Sequence, residues 1–137
     1  MKAQVDGAEC QAAGAIGRLR LGGSLSLDQP RDLDTGQPLL RRASYSLRLS
    51  AAYVRGPWSA NADWQRTGAR NDIEILAPFG TTQLAPYNLG RLALQYQLHP
   101  KVQLHLRIEN LFNANYQLVD GYNTLPRLII AGVEARI

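Results

Sequence analysis

What the chain lacks sets the first limits. It has one cysteine, Cys10, so no internal disulfide can form and no cysteine cluster can hold a metal. Its two histidines, His99 and His105, do not by themselves make a metal site. Lysine is nearly absent: Lys2 and Lys101 are the only two, and the 15 basic residues set against 11 acidic ones are mostly single arginines spread from Arg18 to Arg136. A nucleic-acid-binding face needs clustered basic residues, so no nucleic-acid partner is expected. No apolar run approaches the roughly 18 residues of a spanning helix. Met1 is not followed by an apolar core and a small-residue cleavage site, so no secretory signal is visible. No G-x-S-x-G elbow, P-loop or paired-histidine motif occurs, and neither a cofactor nor an enzyme is expected.

What is present is a period of two. The chain is 45% hydrophobic, which is ordinary for a folded protein and excludes strong disorder. Leu19, Leu21, Leu25 and Leu27 alternate with Arg18, Arg20, Ser24, Ser26 and Asp28. Tyr45, Leu47, Leu49, Ala51 and Tyr53 alternate with serines and Arg48, and Trp58, Ala60, Ala62 and Trp64 with Ser59, Asn61, Asp63 and Gln65. Leu92 to Leu98, Val102 to Ile108, and Ile129 to Ile137 repeat the pattern, and a weaker segment spans Lys2 to Gln11. Successive strand side chains point to opposite faces, so each segment has one apolar and one polar face. The count is about seven strands of roughly 10 to 14 residues, longer than the five or six usual in globular sheets and long enough to cross a bilayer at a tilt.

The connections alternate in length. Ala12–Gly17, Arg55–Pro57 and His99–Lys101 read as short turns, and Gln29–Leu40, Asn71–Pro86 and Leu111–Pro126 as long polar loops. Outer-membrane barrels have tight periplasmic turns and long extracellular loops, and the same alternation here puts the chain's end on the periplasmic side. Tyr45, Tyr53, Trp58, Trp64, Tyr87 and Tyr96 lie near strand ends or on the apolar face, as aromatic girdles would.

The C-terminal third carries a more specific pattern. Arg107-Ile108-Glu109-Asn110-Leu111-Phe112-Asn113-Ala114-Asn115-Tyr116 resembles the V-E-N-L-F-D-x-x-Y motif near the end of TonB-dependent outer-membrane receptors. Gly121-Tyr122-Asn123-Thr124-Leu125-Pro126-Arg127 is similar to the G-Y-x-T-x-G-R stretch that follows it, notably in vitamin B12 receptors of the BtuB type, with Pro126 in place of the glycine. Trp64-x-x-x-Gly68-x-Arg70-x-Asp72, Leu40-Arg41-Arg42 and Leu84-Ala85-Pro86-Tyr87 also resemble stretches of that family, in the same order.

The resemblance implies a fold and a function together. The fold is all-β: an antiparallel up-and-down transmembrane barrel segment, about seven strands of a barrel of about 22 with a plug inside it. Residues 1–137 would be the C-terminal part of that barrel, a truncated and non-autonomous piece without plug, TonB box or signal peptide, ending in Ile137 where the family usually has an aromatic. The function implied is TonB-dependent uptake of cobalamin or a metal chelate such as a siderophore, in the cell outer membrane. The partners implied are outer-membrane lipid, the rest of barrel and plug, and the TonB system. A small stand-alone barrel, porin-like or binding, is the alternative; an odd strand count and two free edges weigh against it.

The motif also has a physical reading of its own. Arg107 and Glu109 share a polar face about 7 Å apart and can pair across strands inside a lumen. Asn110 breaks the alternation, Leu111 and Phe112 form an apolar knot, and Asn113 and Asn115 suit left-handed turns. This reading makes Glu109, Asn110, Leu111 and Phe112 structural candidates, and the resemblance to the family motif adds Tyr116, Gly121 and Tyr122. His105 and Glu109 are about 13 Å apart on one strand, too far for an acid–base dyad. Loop residues are better placed to meet a ligand, and Asp72, Tyr116, Tyr122 and Arg127 are the candidates. Expressed alone, the chain is expected in inclusion bodies or micelles as a strand-rich species that transports nothing. Circular dichroism with detergent-binding measurements checks this; a soluble monomer that binds no detergent would overturn it.

Overall fold

The structure is a computed structural model that describes residues 2–76 and 79–136. Met1 and Ile137, and residues 77 and 78 within the Asn71–Pro86 connection, lie outside the described residues. Seven long strands form one sheet: β1 (Ala3–Ile16), β2 (Leu19–Asp32), β3 (Tyr45–Arg55), β4 (Trp58–Thr67), β7 (Tyr87–His99), β8 (Val102–Glu109) and β11 (Leu128–Ala135). The long connections hold two small hairpins, β5 (Arg70–Ile73) with β6 (Thr81–Leu84), and β9 (Gln117–Val119) with β10 (Tyr122–Asn123). The sheet order is β1-β2-β3-β4-β7-β8-β11, antiparallel throughout. Among the described residues β1 and β11 do not pair with each other, so the sheet is an open arc.

The register sorts the side chains as the alternation requires. Leu25 faces Leu47, Leu49 faces Trp64, Ala62 faces Leu92, Leu94 faces Leu106, and Leu106 faces Ala131. On the opposite face, Gly22 meets Ser50, Ser50 meets Asp63, and Asp63 meets Arg91. The polar face lines a concavity of about 850 Å³ bordered by Gln11, Ser24, Arg48, Asp63, Gln65 and Arg91. Among the described residues no second layer covers the apolar face. Ile16 is 74% exposed and Val133 66%, while the buried hydrophobics among the described residues are Leu84 and Tyr87, both at the loop end.

The short connections are two-residue turns at 17–18, 56–57 and 100–101, all at one end of the sheet. Gly17 and Gly56 take φ of 60° and 55°, the left-handed backbone such turns favour. The turns step along the sheet. The row Leu19–Tyr53–Ala60–Leu94–Leu106 starts beside its turn at Leu19 and ends about five residues from it at Leu106, as the strand tilt of a barrel demands.

Several boundaries differ from the sequence reading. Ala12 to Ile16 continue β1 instead of turning, because Ala12 and Ala13 pair with Gly23 and Gly22, and the Gly17–Arg18 turn needs no more residues. β2 runs on to Asp32, held by Ala3 opposite. The connections expected as plain loops over Asn71–Pro86 and Leu111–Pro126 contain hairpins too short to display a period. Tyr45, Tyr53, Trp58, Trp64 and Tyr96 do share the apolar face, and the Trp58 and Tyr96 rings lie 4.4 Å apart. Tyr87 does not belong with them: it shares the face of Arg91 and is buried under the loops.

The strand end at Glu109 is fixed by close packing. Asn110 takes φ of 50°, and the Leu111 N–H then donates to the Gly90 carbonyl at 2.9 Å. A Cβ on Gly90 would meet the Phe112 ring at 2.8 Å and Leu111 Cβ at 3.1 Å. Gly90→Leu is therefore expected to destabilise the chain by about 1–3 kcal/mol through overpacking. Urea unfolding in detergent measures this, and Phe112→Ala in the same background should recover part of the loss.

Candidate functional site

The long connections gather at the end of the sheet opposite the two-residue turns, and one carboxylate ties them together. Asp72, on β5, is fully buried. Its Oδ1 accepts from Arg41 Nε at 2.8 Å and from the Ile73 N–H at 2.9 Å, and its Oδ2 accepts from the Asp120 N–H at 2.8 Å. Three segments meet there: the β2–β3 connection, the β5–β6 hairpin and the β8–β11 connection. Arg41 reaches it from a left-handed backbone, φ 61°, while its own N–H donates to the Asn71 carbonyl. Asp120 fixes the hairpin in return by accepting from the Ile75 N–H at 3.0 Å, and Ile75 packs on Gly121, whose φ is 77°. Burial by itself raises the Asp72 carboxyl. The Asp120 amide, Arg41 and the Ile73 amide outweigh it and hold the group below its ordinary value.

Beside this clamp stands a three-layer stack. The Arg70 guanidinium lies 4.9 Å from the Tyr87 ring centroid, and Tyr87 stacks on Tyr116 with centroids 4.4 Å apart. Arg70 is 6% exposed; its Nη2 donates to the Gln117 carbonyl at 2.6 Å, and its Nε is buried without a hydrogen-bond partner. The cation is thus held by the face of the Tyr87 ring and a carbonyl. Thr124 Oγ1 donates to the Tyr116 carbonyl at 2.8 Å. Asn110, buried, donates from Nδ2 to the carbonyls of Ala114 and Leu125 and accepts the Ala114 N–H.

Below the stack, on the polar face, is a recess of about 460 Å³ lined in part by Arg91, Glu109, Tyr116, Asn123 and Leu125. Glu109 forms ion pairs with Arg91, Nε to Oε2 2.8 Å, and with Arg107, Nε to Oε1 3.4 Å. A carboxylate between two arginines at a wet wall adds little stability, but it fixes an alternating charge pattern where the recess opens to the concavity.

Of the four loop residues singled out from the sequence, Tyr116 lines the recess. Tyr122 is 64% exposed, and Arg127 is exposed with its N–H donating to Asn113 Oδ1 at 2.9 Å. Asp72 offers no surface, because each of its oxygens already accepts from within the chain. Asn113 takes φ of 51°, as its residue type suggested; Asn115 is not left-handed. Sequence reading did not single out Asp120 or the roles of Arg41, Arg70 and Tyr87. Three of those four stood in the motif stretches, but nothing in a linear pattern joins Arg41 to Asp72 across 31 residues.

Acid is expected to loosen the loop end. A carboxyl whose folded value is depressed stabilises above its unfolded value, about 3.9, and that contribution is lost as pH falls through the folded value. The protection of the Asp120 and Ile73 amides, taken relative to their intrinsic exchange rates, should be high at neutral pH and fall below about pH 4. Asp72→Asn should lower that protection at neutral pH by about 2 kcal/mol of local stability and remove most of its pH dependence.

No protein-family model matches the sequence. Solved structures do. The pyoverdine outer membrane receptor FpvA of Pseudomonas aeruginosa superposes with a TM-score of 0.83 at 17% identity, covering 98% of this chain and 22% of that one. The ferric-catecholate import receptor Fiu of E. coli K12 gives 0.78 at 19%, covering 97% and 21%. The copper transporter OprC gives 0.75 at 19%, covering 97% and 24%. The chain spans about a fifth to a quarter of the length of these proteins. At such identities the likeness speaks for the fold alone: the chain has the antiparallel strand arrangement of a segment of the barrels of these proteins.

Proposed function

We propose that residues 1–137 form the C-terminal wall of an outer-membrane receptor barrel that takes up a metal chelate of the siderophore type with energy from TonB. The observation that carries this reading is the open seven-stranded arc with one apolar and one charged face, superposable over 97–98% of its length on receptors named for pyoverdine, ferric catecholate and copper. In this reading the apolar face meets outer-membrane lipid. The edges of β1 and β11 pair with the remaining strands, and the polar concavity receives a plug that couples to TonB. Tyr116, Tyr122 and Arg127 contact the chelate at the loop end, and Asp72 holds the loops that carry them. Glu109, Asn110, Leu111, Phe112 and Gly121 shape the last loop. A cobalamin receptor is the second reading, supported by the Gly121–Arg127 stretch.

Two measurements test the proposal. Leu94→Arg, in the middle of the apolar face, is expected to weaken folding into lipid vesicles by about 2–4 kcal/mol, and Ser50→Arg on the polar face by much less. Cells expressing a full-length receptor, barrel and plug, that carries these residues as its C-terminal wall are then offered radiolabelled ferric siderophores and cobalamin. TonB-dependent iron uptake is expected, with affinity about tenfold lower for Tyr116→Ala and Arg127→Ala, a change of about 1.4 kcal/mol. Uptake of cobalamin alone establishes the second reading, and uptake of neither removes both.

A further inference from the structure

On the apolar face Arg66 interrupts the apolar series of β4; Arg55, beside its short turn, and Arg31, near the far end of β2, also share that face. Arg66 continues the alternating series Trp58, Ala60, Ala62 and Trp64 of β4, and its neighbours across the sheet are Leu47 on β3 and Asn88 on β7. It is half-buried. Its Nε donates to Tyr45 Oη at 3.1 Å and its Nη1 to Asn88 Oδ1 at 3.3 Å. Both partners are neutral, and among the described residues no carboxylate lies within ion-pair distance of it. A cation set in an apolar wall without a counter-charge is costly unless an anion reaches it.

The cluster is built to donate. A guanidinium has five N–H groups, of which two are used here. The Tyr45 oxygen accepts from Arg66, which leaves its own hydrogen to give away. Asn88, accepting through Oδ1, keeps its amide N–H groups. Tyr45 is fixed in place because its ring lies against Gly68, where a Cβ would come within 2.8 Å of ring carbons. Beneath the cluster the wall is hydrocarbon: Leu47 and Leu25 stand in the same cross-strand row, with Trp64 and Leu49 one pleat nearer the short turns.

The height fits as well. From the turn at Pro57 to Arg66 the strand climbs about 23 Å, taking a rise of about 3.3 Å per residue and a tilt near 40°. An outward apolar band is about 25 Å tall, so Arg66 stands at its upper margin, on the loop side. We propose that Tyr45, Arg66 and Asn88 hold the phosphate of an anionic lipid headgroup, whose acyl chains lie along Leu25, Leu47 and Trp64. The proposal rests on the reading of the apolar face as lipid-facing.

Native mass spectrometry of the chain folded in detergent micelles tests it. The probes are phosphatidic acid, diacylglycerol with the same acyl chains, and inorganic phosphate. Phosphatidic acid is expected to be retained at least about tenfold better than diacylglycerol, and Arg66→Gln to abolish the difference. Tyr45→Phe keeps the ring on Gly68, removes only the hydroxyl, and should reduce retention about threefold. Arg48→Gln, on the opposite face, should leave retention unchanged. Equal retention by the Arg66→Gln and unsubstituted chains overturns the proposal, as does displacement by millimolar inorganic phosphate, which would mark a free-anion site. Quenching of Trp58 and Trp64 by brominated lipid separates the two failures. Quenching without an Arg66 effect removes the headgroup site and leaves the lipid-facing wall in place; no quenching removes both.

Discussion

The constraint on which this molecule depends is that, among the described residues, one face of its sheet has no layer of its own over it apart from Leu111 and Phe112 at Gly90. Seven strands place leucine, alanine and aromatic side chains on that face in register, and among the described residues no helix or second sheet lies against them. The strand ladder satisfies the backbone groups, and only neighbouring strands can do so where no water is present. Everything else follows from that division. Charge collects on the other face as the Asp63, Arg91, Glu109 and Arg107 series, and burial, absent from the middle of the sheet, is confined to the loop end.

In place of a hydrophobic core the loop end has a polar one. Asp72 is an ion with no exposure, which would be costly if any of its donors were missing. Three donors from three segments meet it, so segments far apart in sequence are ordered by a single group. Arg70 is the opposite case: a buried cation held by a carbonyl and the face of Tyr87 without a carboxylate. The two together explain why the long connections form a packed cap, with Tyr116 held by the stack at the mouth of the recess.

The sheet was largely legible in the sequence because alternation is a local signal, repeated along every long strand. The short turns were legible where glycine marked them, and misread at Ala12 to Ile16, where small residues mimic a turn but pair with glycines opposite. The hairpins of the loop end were not legible, since strands of two to four residues are too brief to show a period. The site was legible by parts. Asp72 and Tyr116 stood out as residue types, but the Arg41–Asp72–Asp120 clamp depends on contacts between residues 31 and 48 positions apart, which only the folded chain brings together. The same holds for Tyr87, whose face is fixed by one step of the strand and whose burial is fixed by a ring from another loop.

The stepped turns carry a consequence for how such a wall can be lengthened. Because each hairpin sits lower on its neighbour than a level sheet would allow, the two free edges are at different heights: β1 is a riser and β11 a later tread of the same ramp. A strand pair added or lost along this ramp changes girth and pitch together, since closure fixes strand number and stagger jointly. Whole hairpins that keep the step are the natural unit of exchange between barrels of this kind. A single strand, or a hairpin with a level turn, would leave the last edge sliding past the first with its hydrogen-bonding groups out of phase.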